Sequence, residues 1–233
     1  MADVQPGSSW TGASLGFTAG YVDTLGFIGL AGLFTAHVTG NFVMIGRTMV
    51  DPSQDLLMKL LVFPVFILAV MMTRLLVLGW QSGGKPPLRN AMLAQVLLLA
   101  GCMLCGLAAG ARPTFDSPLF VISGMLGAAG MAVQNAYGKL LQGKDDATTV
   151  MTGNVTMMSI ALVDAMRGDA DAKARARRLA GPICGFGSGA ILGALGWLLA
   201  GFLGLLPPLL LLLLLAWRAG RSAPAVAAPQ KAG

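Results

Sequence analysis

Two long apolar runs constrain the fold of this chain more than any other feature. Residues 56–80 carry only two charged side chains, and residues 91–111 carry none. A helix of about 20 such residues can cross roughly 30 Å of hydrocarbon. Across all 233 residues only 11% are charged, whereas an ordinary soluble domain has about 25%. The sequence therefore predicts an all-α integral membrane protein with several transmembrane helices.

A short polar motif interrupts these apolar segments twice. Thr39-Gly40-Asn41 returns 113 residues later as Thr152-Gly153-Asn154. Threonine, glycine and asparagine favour caps and turns over helix interiors. Inside lipid, such a break is tolerated only where it is packed in protein or lines a wet cavity. The motif is therefore the leading candidate for a functional feature.

The spacing of the two motifs indicates an internal duplication. The same offset places the apolar segments that follow the first copy onto those that follow the second, which divides the chain into membrane repeats at residues 13–110 and 118–217. A cytoplasmic lead (residues 1–12), a linker (residues 111–117) and a disordered cytoplasmic tail (residues 218–233) complete the predicted organisation.

The charges of the loops predict how many segments cross the membrane, because basic loops stay in the cytoplasm. The apolar stretches after the motifs, residues 42–50 and 155–166, are short for a crossing. If both cross, the Lys85 loop falls opposite the basic loop at residues 164–178. If both return to the side of entry, six spans remain and these loops share one side with both termini.

We therefore predict six transmembrane helices, arranged as two inverted three-span repeats. Each repeat has a broken or re-entrant half-helix at its Thr-Gly-Asn motif, an arrangement typical of transporters. The expected location is the bacterial inner membrane, with both termini in the cytoplasm.

The motif residues have a structural and a functional interpretation. Thr39 or Asn41, and Thr152 or Asn154, are expected to cap the starts of the half-helices. A helix start also offers N–H donors and a partial positive charge, which favour an anionic or carbonyl-bearing ligand. In inverted repeats the two breaks would meet near the membrane midplane, and the glycine between each pair would belong to the same site.

Asp23 is the only acidic residue deep inside a predicted span. A charge there is costly and indicates a functional site. It can relay a proton, bind a cation, or form a salt bridge with Arg47 or Arg74. Gln134 and Asn135 stand in the corresponding part of the second repeat, so the candidate site is asymmetric in charge.

Glycines at four-residue spacing predict two helix-packing seams, because small residues let helices approach closely. The first seam shares its helical face with Asp23. The two seams comprise Gly12, Gly16 and Gly20, and Gly181, Gly185, Gly189 and Gly193.

The only histidine, His37, argues against a metal site, since no cysteine or carboxylate cluster has ligand spacing. Val150 replaces it in the second copy, so packing is its expected role, although an imidazole can titrate near neutral pH. Cys102 and Cys105 lie mid-span and are interpreted as packing residues. No cofactor and no enzymatic activity are expected.

The motifs resemble those of a known family. Gly20-Tyr21-Val22-Asp23, followed by Phe34-x-x-x-x-Thr39-Gly40-Asn41, resembles the YoaK-like family of small bacterial membrane proteins, a domain of unknown function. Gln134-Asn135-Ala136 and the second Thr152-Gly153-Asn154 fit the same pattern. The resemblance covers residues 12–217 and implies a multi-span inner-membrane protein with no settled activity.

Two classes of function remain open. The first is a small-solute or ion transporter or channel, with a midplane site between the two breaks and Asp23 as the coupling charge. The second is a non-transporting scaffold or assembly protein whose motifs are structural caps. The expected partners are the lipid bilayer and an unknown small solute or ion, with a second copy of the chain as an open alternative and no nucleic acid.

Overall fold

The computed structural model describes residues 9–51, 56–110, 117–141 and 151–221, and the helices found there confirm the all-α prediction. The described part contains no strand. A 3-10 turn (Gly201–Leu205) separates the last two α-helices. The α-helices are α1 (Ser9–Gly29), α2 (Gly40–Thr48), α3 (Leu56–Ser82), α4 (Pro87–Ala108), α5 (Pro118–Leu141), α6 (Met151–Met166), α7 (Ala170–Ala200) and α8 (Leu206–Arg221).

Four stretches are long and apolar enough to cross a membrane, namely α3, α4, α5 and the continuous segment Ala170–Arg221. That segment has 52 residues, which is about 78 Å of helix at 1.5 Å per residue. It is more than twice the roughly 30 Å of a bilayer core, and it turns at Gly201, whose φ is +55°. The lengths and compositions indicate a multi-pass membrane protein.

The outer surface of the bundle supports that conclusion. On α3, large apolar side chains such as Leu57, Leu68 and Leu75 are each more than 60% exposed. A soluble monomer rarely presents such a continuous apolar face, whereas lipid tails accommodate it at no cost.

The closest helix packing joins α1 and α7 through their glycines. A Cβ atom added at Gly16, Gly20, Gly185, Gly189 or Gly193 would collide with a main-chain carbonyl oxygen of the opposite helix. Both predicted seams are confirmed at these positions, and the two seams face each other. Backbones approach this closely only where no side chain separates them.

Contacts between α1 and α7 also give their relative direction. Gly12 near the start of α1 lies beside Pro182 in the first half of α7, and Gly29 at the end of α1 lies beside Trp197 near the end of α7. The two helices therefore run parallel.

The remaining long helices are oriented by contacts of the same kind. Met58 of α3 lies beside Gly124 of α5, and Trp80 and Val133 further along the same helices line one cavity, so α3 and α5 run parallel. The end of α8 meets the start of α4, and the 3-10 turn that precedes α8 meets the end of α4. α8 therefore runs antiparallel to α4.

Two predicted boundaries differ from the structure. The charged loop expected over residues 164–178 is shorter, because α7 begins at Ala170. Asp169 caps that start, since its Oδ1 accepts hydrogen bonds from the main-chain N–H groups of Asp171 and Ala172 at 2.9 and 3.1 Å. The tail expected from residue 218 begins later, because α8 continues to Arg221. The predicted linker, apart from its last residue, and the tail beyond Arg221 lie outside the described residues.

Candidate functional site

The non-helical segment between α1 and α2 begins with an abrupt end to α1. Ala31 and Gly32 both have positive φ angles, +54° and +77°. The N–H of Gly32 donates to the carbonyl of Phe27 at 2.8 Å, which closes the last turn of α1 as a left-handed C-cap does. Alanine is strained in this conformation, so the surrounding contacts must hold the turn in place.

Asp23 supplies several of those contacts. Its side chain lies on α1 and the residue is only 4% exposed. Oδ1 accepts hydrogen bonds from the main-chain N–H groups of Thr35 and Ala36 at 2.8 and 2.7 Å. The carboxylate therefore satisfies buried main-chain donors of the segment, which would otherwise have no partner inside a membrane bundle.

His37 is the second partner of Asp23. Its Nδ1 lies 2.9 Å from Oδ2 of the carboxylate, which is hydrogen-bonding distance. The His37 side chain is 31% exposed, against 6% for Asp23, and its ring lies edge-on to Phe186 of α7 with the centroids 5.1 Å apart. The pair thus connects a buried carboxylate to a partly accessible imidazole.

The salt-bridge partners expected for Asp23 are wrong. Arg47 pairs with the exposed Asp51 at 2.8 Å, and Arg74 is exposed on α3. The packing role expected for His37 is incomplete, since its ring contacts Phe186 while its Nδ1 holds Asp23. The sequence did carry a signal: the only histidine follows the one acidic residue deep in a span by 14 positions.

Asn41 joins the start of α2 to the middle of the non-helical segment. It is 0% exposed. Its Oδ1 accepts a hydrogen bond from the N–H of Phe34 at 3.0 Å, and its Nδ2 donates to the carbonyl of Phe34 at 2.8 Å. The oxygen and the nitrogen of the amide therefore both bond to the main chain of the same residue, Phe34.

The prediction that Thr39 or Asn41 caps α2 is wrong. Thr39 has helical angles (φ −66°, ψ −22°) and makes no side-chain cap hydrogen bond. The N–H groups of Gly40, Asn41 and Phe42 donate instead to the carbonyls three residues earlier, at 2.8 to 3.1 Å. A tight turn therefore satisfies these donors, and the start of α2 does not present them to an anion.

The second motif lies within α6. Thr152 is exposed and Asn154 is 6% exposed, and both are helical, so neither precedes the helix as a cap would. Gly153 lies between them, and residues 142–150 fall outside the description. Among the described helices, α2 contacts only α3 and α6 contacts only α7. The structure therefore does not bring helices α2 and α6, with their two motifs, into contact.

Gln134 belongs to a different cluster, a polar network that joins α1, α4 and α5. Its Oε1 accepts from Gln95 at 2.8 Å, and its Nε2 donates to the carbonyl of Leu15 at 2.8 Å. Tyr137 donates its hydroxyl proton to Gln95 at 2.7 Å. All three polar side chains are 0% exposed, so the network fixes the register of these helices.

Neither Gln95 nor Tyr137 was a sequence candidate. A glutamine inside an apolar run and a tyrosine three residues after Gln134 were the available signals. Asn135 follows Gln134 on α5, and its Nδ2 donates to the carbonyl of Met131 in its own helix at 3.1 Å. The described residues contain no group of three or more His, Cys, Asp or Glu side chains that could hold a metal ion.

Comparison with protein-family models gave a match over most of the chain. A family model described as "Protein of unknown function (DUF1275)" matches residues 11–217, which include Asp23, both motifs and the glutamine network. The chain matches none of the curated proteins and none of the solved structures with which it was compared.

Proposed function

We propose, for a chain that belongs to the DUF1275 family of proteins of unknown function, a role as a transporter or channel for a small solute or ion, without enzymatic activity. The observation that carries the proposal is the buried Asp23 carboxylate, paired with His37 at 2.9 Å beside a break in a membrane helix. Buried ionisable groups in membrane proteins are costly and mark ion, proton or substrate pathways. The YoaK-like resemblance is compatible with this family.

In this proposal, the Asp23–His37 pair supplies the coupling charge. Imidazole and carboxylate exchange a proton along their shared hydrogen bond, and the partly exposed ring connects it to the outside of the bundle. Loss of charge on Asp23 would weaken its hydrogen bonds to Thr35 and Ala36, because bonds to a charged acceptor are the stronger ones. Protonation can therefore change the conformation of the whole break.

The proposal includes six spans, formed by α1, α3, α4, α5, α7 and α8. One apolar cluster supports the return of α2 to the side of its entry. In it, Leu30 and Leu33, just beyond the end of α1, pack with Met58 and Val62 at the start of α3. The chain therefore leaves α1 and enters α3 at the same end of the bundle.

The same reasoning applies to α6. Gln134 in the last part of α5 bonds to Leu15 near the start of α1, and Pro182 in the first part of α7 lies against Gly12. Both ends of the connection between α5 and α7 are thus at the end of the bundle where α1 begins.

Inverted repeats are supported by the directions and partners of the helices. α1, α4 and α7 run one way while α3, α5 and α8 run the other. α1 packs on α7, and α5 packs on α3, so the first helix of each half lies against the second long helix of the other half. A two-fold axis in the membrane plane produces this exchange.

The distribution of charge supports cytoplasmic termini in a bacterial inner membrane. Basic residues cluster at the end of the bundle where α1 begins, whereas Asp51 and its partner Arg47 lie at the other. Basic segments stay on the cytoplasmic side. The basic set includes Lys85, Arg89, Lys139, Arg175, Arg177, Arg178, Arg218 and Arg221.

A second candidate, a non-transporting scaffold, is favoured by Asn41. Its amide bonds the main chain of Phe34 through both its oxygen and its nitrogen, so at least one Thr-Gly-Asn motif has a structural role that needs no ligand. The two candidates differ in whether the charge of Asp23 does anything beyond stabilising the break.

The test uses purified protein in liposomes that enclose a pH-sensitive dye. Under an imposed proton gradient, the vesicles are exposed in turn to inorganic ions, small carboxylates, amines and amino acids. We expect at least one solute to produce protein-dependent proton movement, which Asp23→Asn lowers at least tenfold. Asparagine keeps one oxygen for the N–H groups of Thr35 and Ala36 but carries no charge.

Asp51→Asn is the matched control, since it removes an exposed carboxylate by the same chemical change. It should transport as the unmodified protein does. If folded protein moves neither protons nor any solute of the panel, or if both variants behave alike, the transport proposal fails and the scaffold candidate stands.

A further inference from the structure

A cavity of about 400 Å³ opens between α4 and α8, and none of its lining residues belongs to the Asp23 site. It lies at the end of the bundle where α1 begins, since Arg218 of α8 stacks on Trp10 at 5.1 Å. Arg89 and Arg221 contribute its charged wall, and Leu93 and Leu213 contribute apolar walls one turn and two turns deeper.

The two arginines are held in place by the surfaces beneath them. Arg89 lies across α8 at Gly220, where an added Cβ atom would come within 2.9 Å of its Cδ. Arg221 lies over the ring of Trp217 with 4.0 Å between its Cζ and the ring centroid, a cation–π contact that orients the guanidinium.

The cavity has an excess of positive charge. No acidic side chain lines it, and within the described ranges neither Arg89 nor Arg221 forms a salt bridge. The two guanidinium groups carry ten hydrogen-bond donors between them, and the lining of the cavity contains no counter-charge. An anion is the ligand that this wall complements.

The walls also place the cavity at the boundary between lipid tails and headgroups. Trp217 is 52% exposed, and tryptophan is enriched at that depth in membrane proteins. The arginines lie beyond it towards the end of the helices, and the leucines lie on the side of the bilayer core. The ligand that fits has a charged head and an apolar body.

We propose that this cavity binds the phosphate headgroup of an anionic phospholipid, with Arg89 and Arg221 on the phosphate and the acyl chains along Leu93 and Leu213. Guanidinium groups bind phosphate oxygens in a bidentate geometry, and basic pockets between membrane helices bind anionic headgroups. The inference is independent of whether the protein transports a solute.

The test measures lipid binding to the full chain in a neutral detergent by native mass spectrometry, with phosphatidylglycerol, phosphatidylcholine and inorganic phosphate as probes. We expect one phosphatidylglycerol to bind in preference to phosphatidylcholine. Arg89→Gln with Arg221→Gln should weaken its binding about 25-fold, or about 5-fold for each arginine, the strength of one basic residue at an anionic membrane surface.

Arg177→Gln with Arg178→Gln is the matched control, because it removes two exposed arginines from the same end of the bundle without touching the cavity. Its phosphatidylglycerol affinity should stay within twofold of the unmodified protein. An equal loss in both double variants would overturn the proposal in favour of diffuse attraction between charges.

A second variant keeps the test decisive if the glutamine variant does not fold. Arg89→Lys with Arg221→Lys preserves both charges but loses the bidentate geometry, so it should bind phosphatidylglycerol more weakly than the unmodified protein. Unchanged binding in this folded variant would contradict the site. Displacement of the lipid by an equal concentration of inorganic phosphate would overturn the lipid as the ligand.

Discussion

The side-chain amide of Asn41 bonds both the N–H and the carbonyl of Phe34, seven residues earlier, at 3.0 and 2.8 Å. The Asn41 side chain thereby supplies the two hydrogen-bond partners that the main chain of Phe34 would have found in the neighbouring turns of a helix. The break between α1 and α2 is thus an ordered structure with its own hydrogen bonds, and Asp23 completes it from the other side.

Asn41→Ala should destabilise the protein by about 1–3 kcal/mol, because it leaves two partly buried main-chain groups without partners. Thermal unfolding in detergent measures the change. Asn90→Ala is the control, since the Asn90 side chain makes no hydrogen bond in the part of the chain that the structure describes. Equal effects of the two substitutions would show that the bonds of Asn41 do not stabilise the fold.

Gly189→Ala should cost about 3 kcal/mol or abolish folding. Its Cβ atom would collide with the carbonyl oxygen of Phe17, and the backbones of α1 and α7 would have to separate. On the same helix, Gly187 has nothing within 4 Å of the equivalent position. Gly187→Ala should therefore leave the unfolding temperature unchanged or raise it slightly, because alanine is the better helix former. A stable, normally folded Gly189→Ala variant would contradict the packing of the two seams.

The glutamine network should behave as a unit. Tyr137→Phe leaves Oε1 of Gln95 without its donor, and Gln95→Leu leaves the Tyr137 hydroxyl without its acceptor, so each change should cost about 1–3 kcal/mol. Because both remove the same buried bond, the double variant should cost at least about 1 kcal/mol less than the sum.

The control for this cycle combines Tyr137→Phe with Ser188→Ala. Ser188 is exposed and bonds only to carbonyls of its own helix, Cys184 and Gly185. These two changes should add within about 0.5 kcal/mol. Additivity in the Gln95–Tyr137 pair as well would rule out the network as a cooperative unit.

Single cysteines test the six-span topology. With Cys102, Cys105 and Cys184 replaced by alanine, an impermeant thiol reagent applied to intact cells should label Asp51→Cys but neither Ser82→Cys nor Ala170→Cys. The reason is that α1 ends where α3 begins, so Asp51 lies opposite the other two positions. Labelling of Asp51→Cys and Ala170→Cys alike, with Ser82→Cys different, would show that α2 and α6 cross, and the inverted repeats would be excluded.

The candidate site was accessible from the sequence only in part. Asp23 was identified by its cost, since a lone carboxylate inside an apolar segment requires a reason. Its partner was not, because Arg47, Arg74 and His37 were all within reach along the chain, and only the path of residues 30–39 decides among them. That path depends on Ala31 and Gly32 with positive φ, which sequence patterns do not specify for alanine.

The role of Asn41 shows the same limit. Asparagine before or at a helix start favours capping, and local preference therefore predicted a cap. The tight turn that ends at Phe42 satisfies the N–H groups of the helix start, which frees the amide for Phe34. Residue types alone do not specify which of these two local arrangements forms.

Hydropathy and four-residue spacing act locally along one helix, so the amino-acid pattern was enough to predict a helical chain, apolar segments that suit a bilayer, and two glycine seams. That Gly189 faces α1, that His37 holds Asp23, and that Gln134 and Gln95 share a bond became visible only in the packed bundle. Those relations join positions up to 172 residues apart, as between Phe17 and Gly189. They are set by which helices pack together, and pairwise packing is a property of the whole bundle.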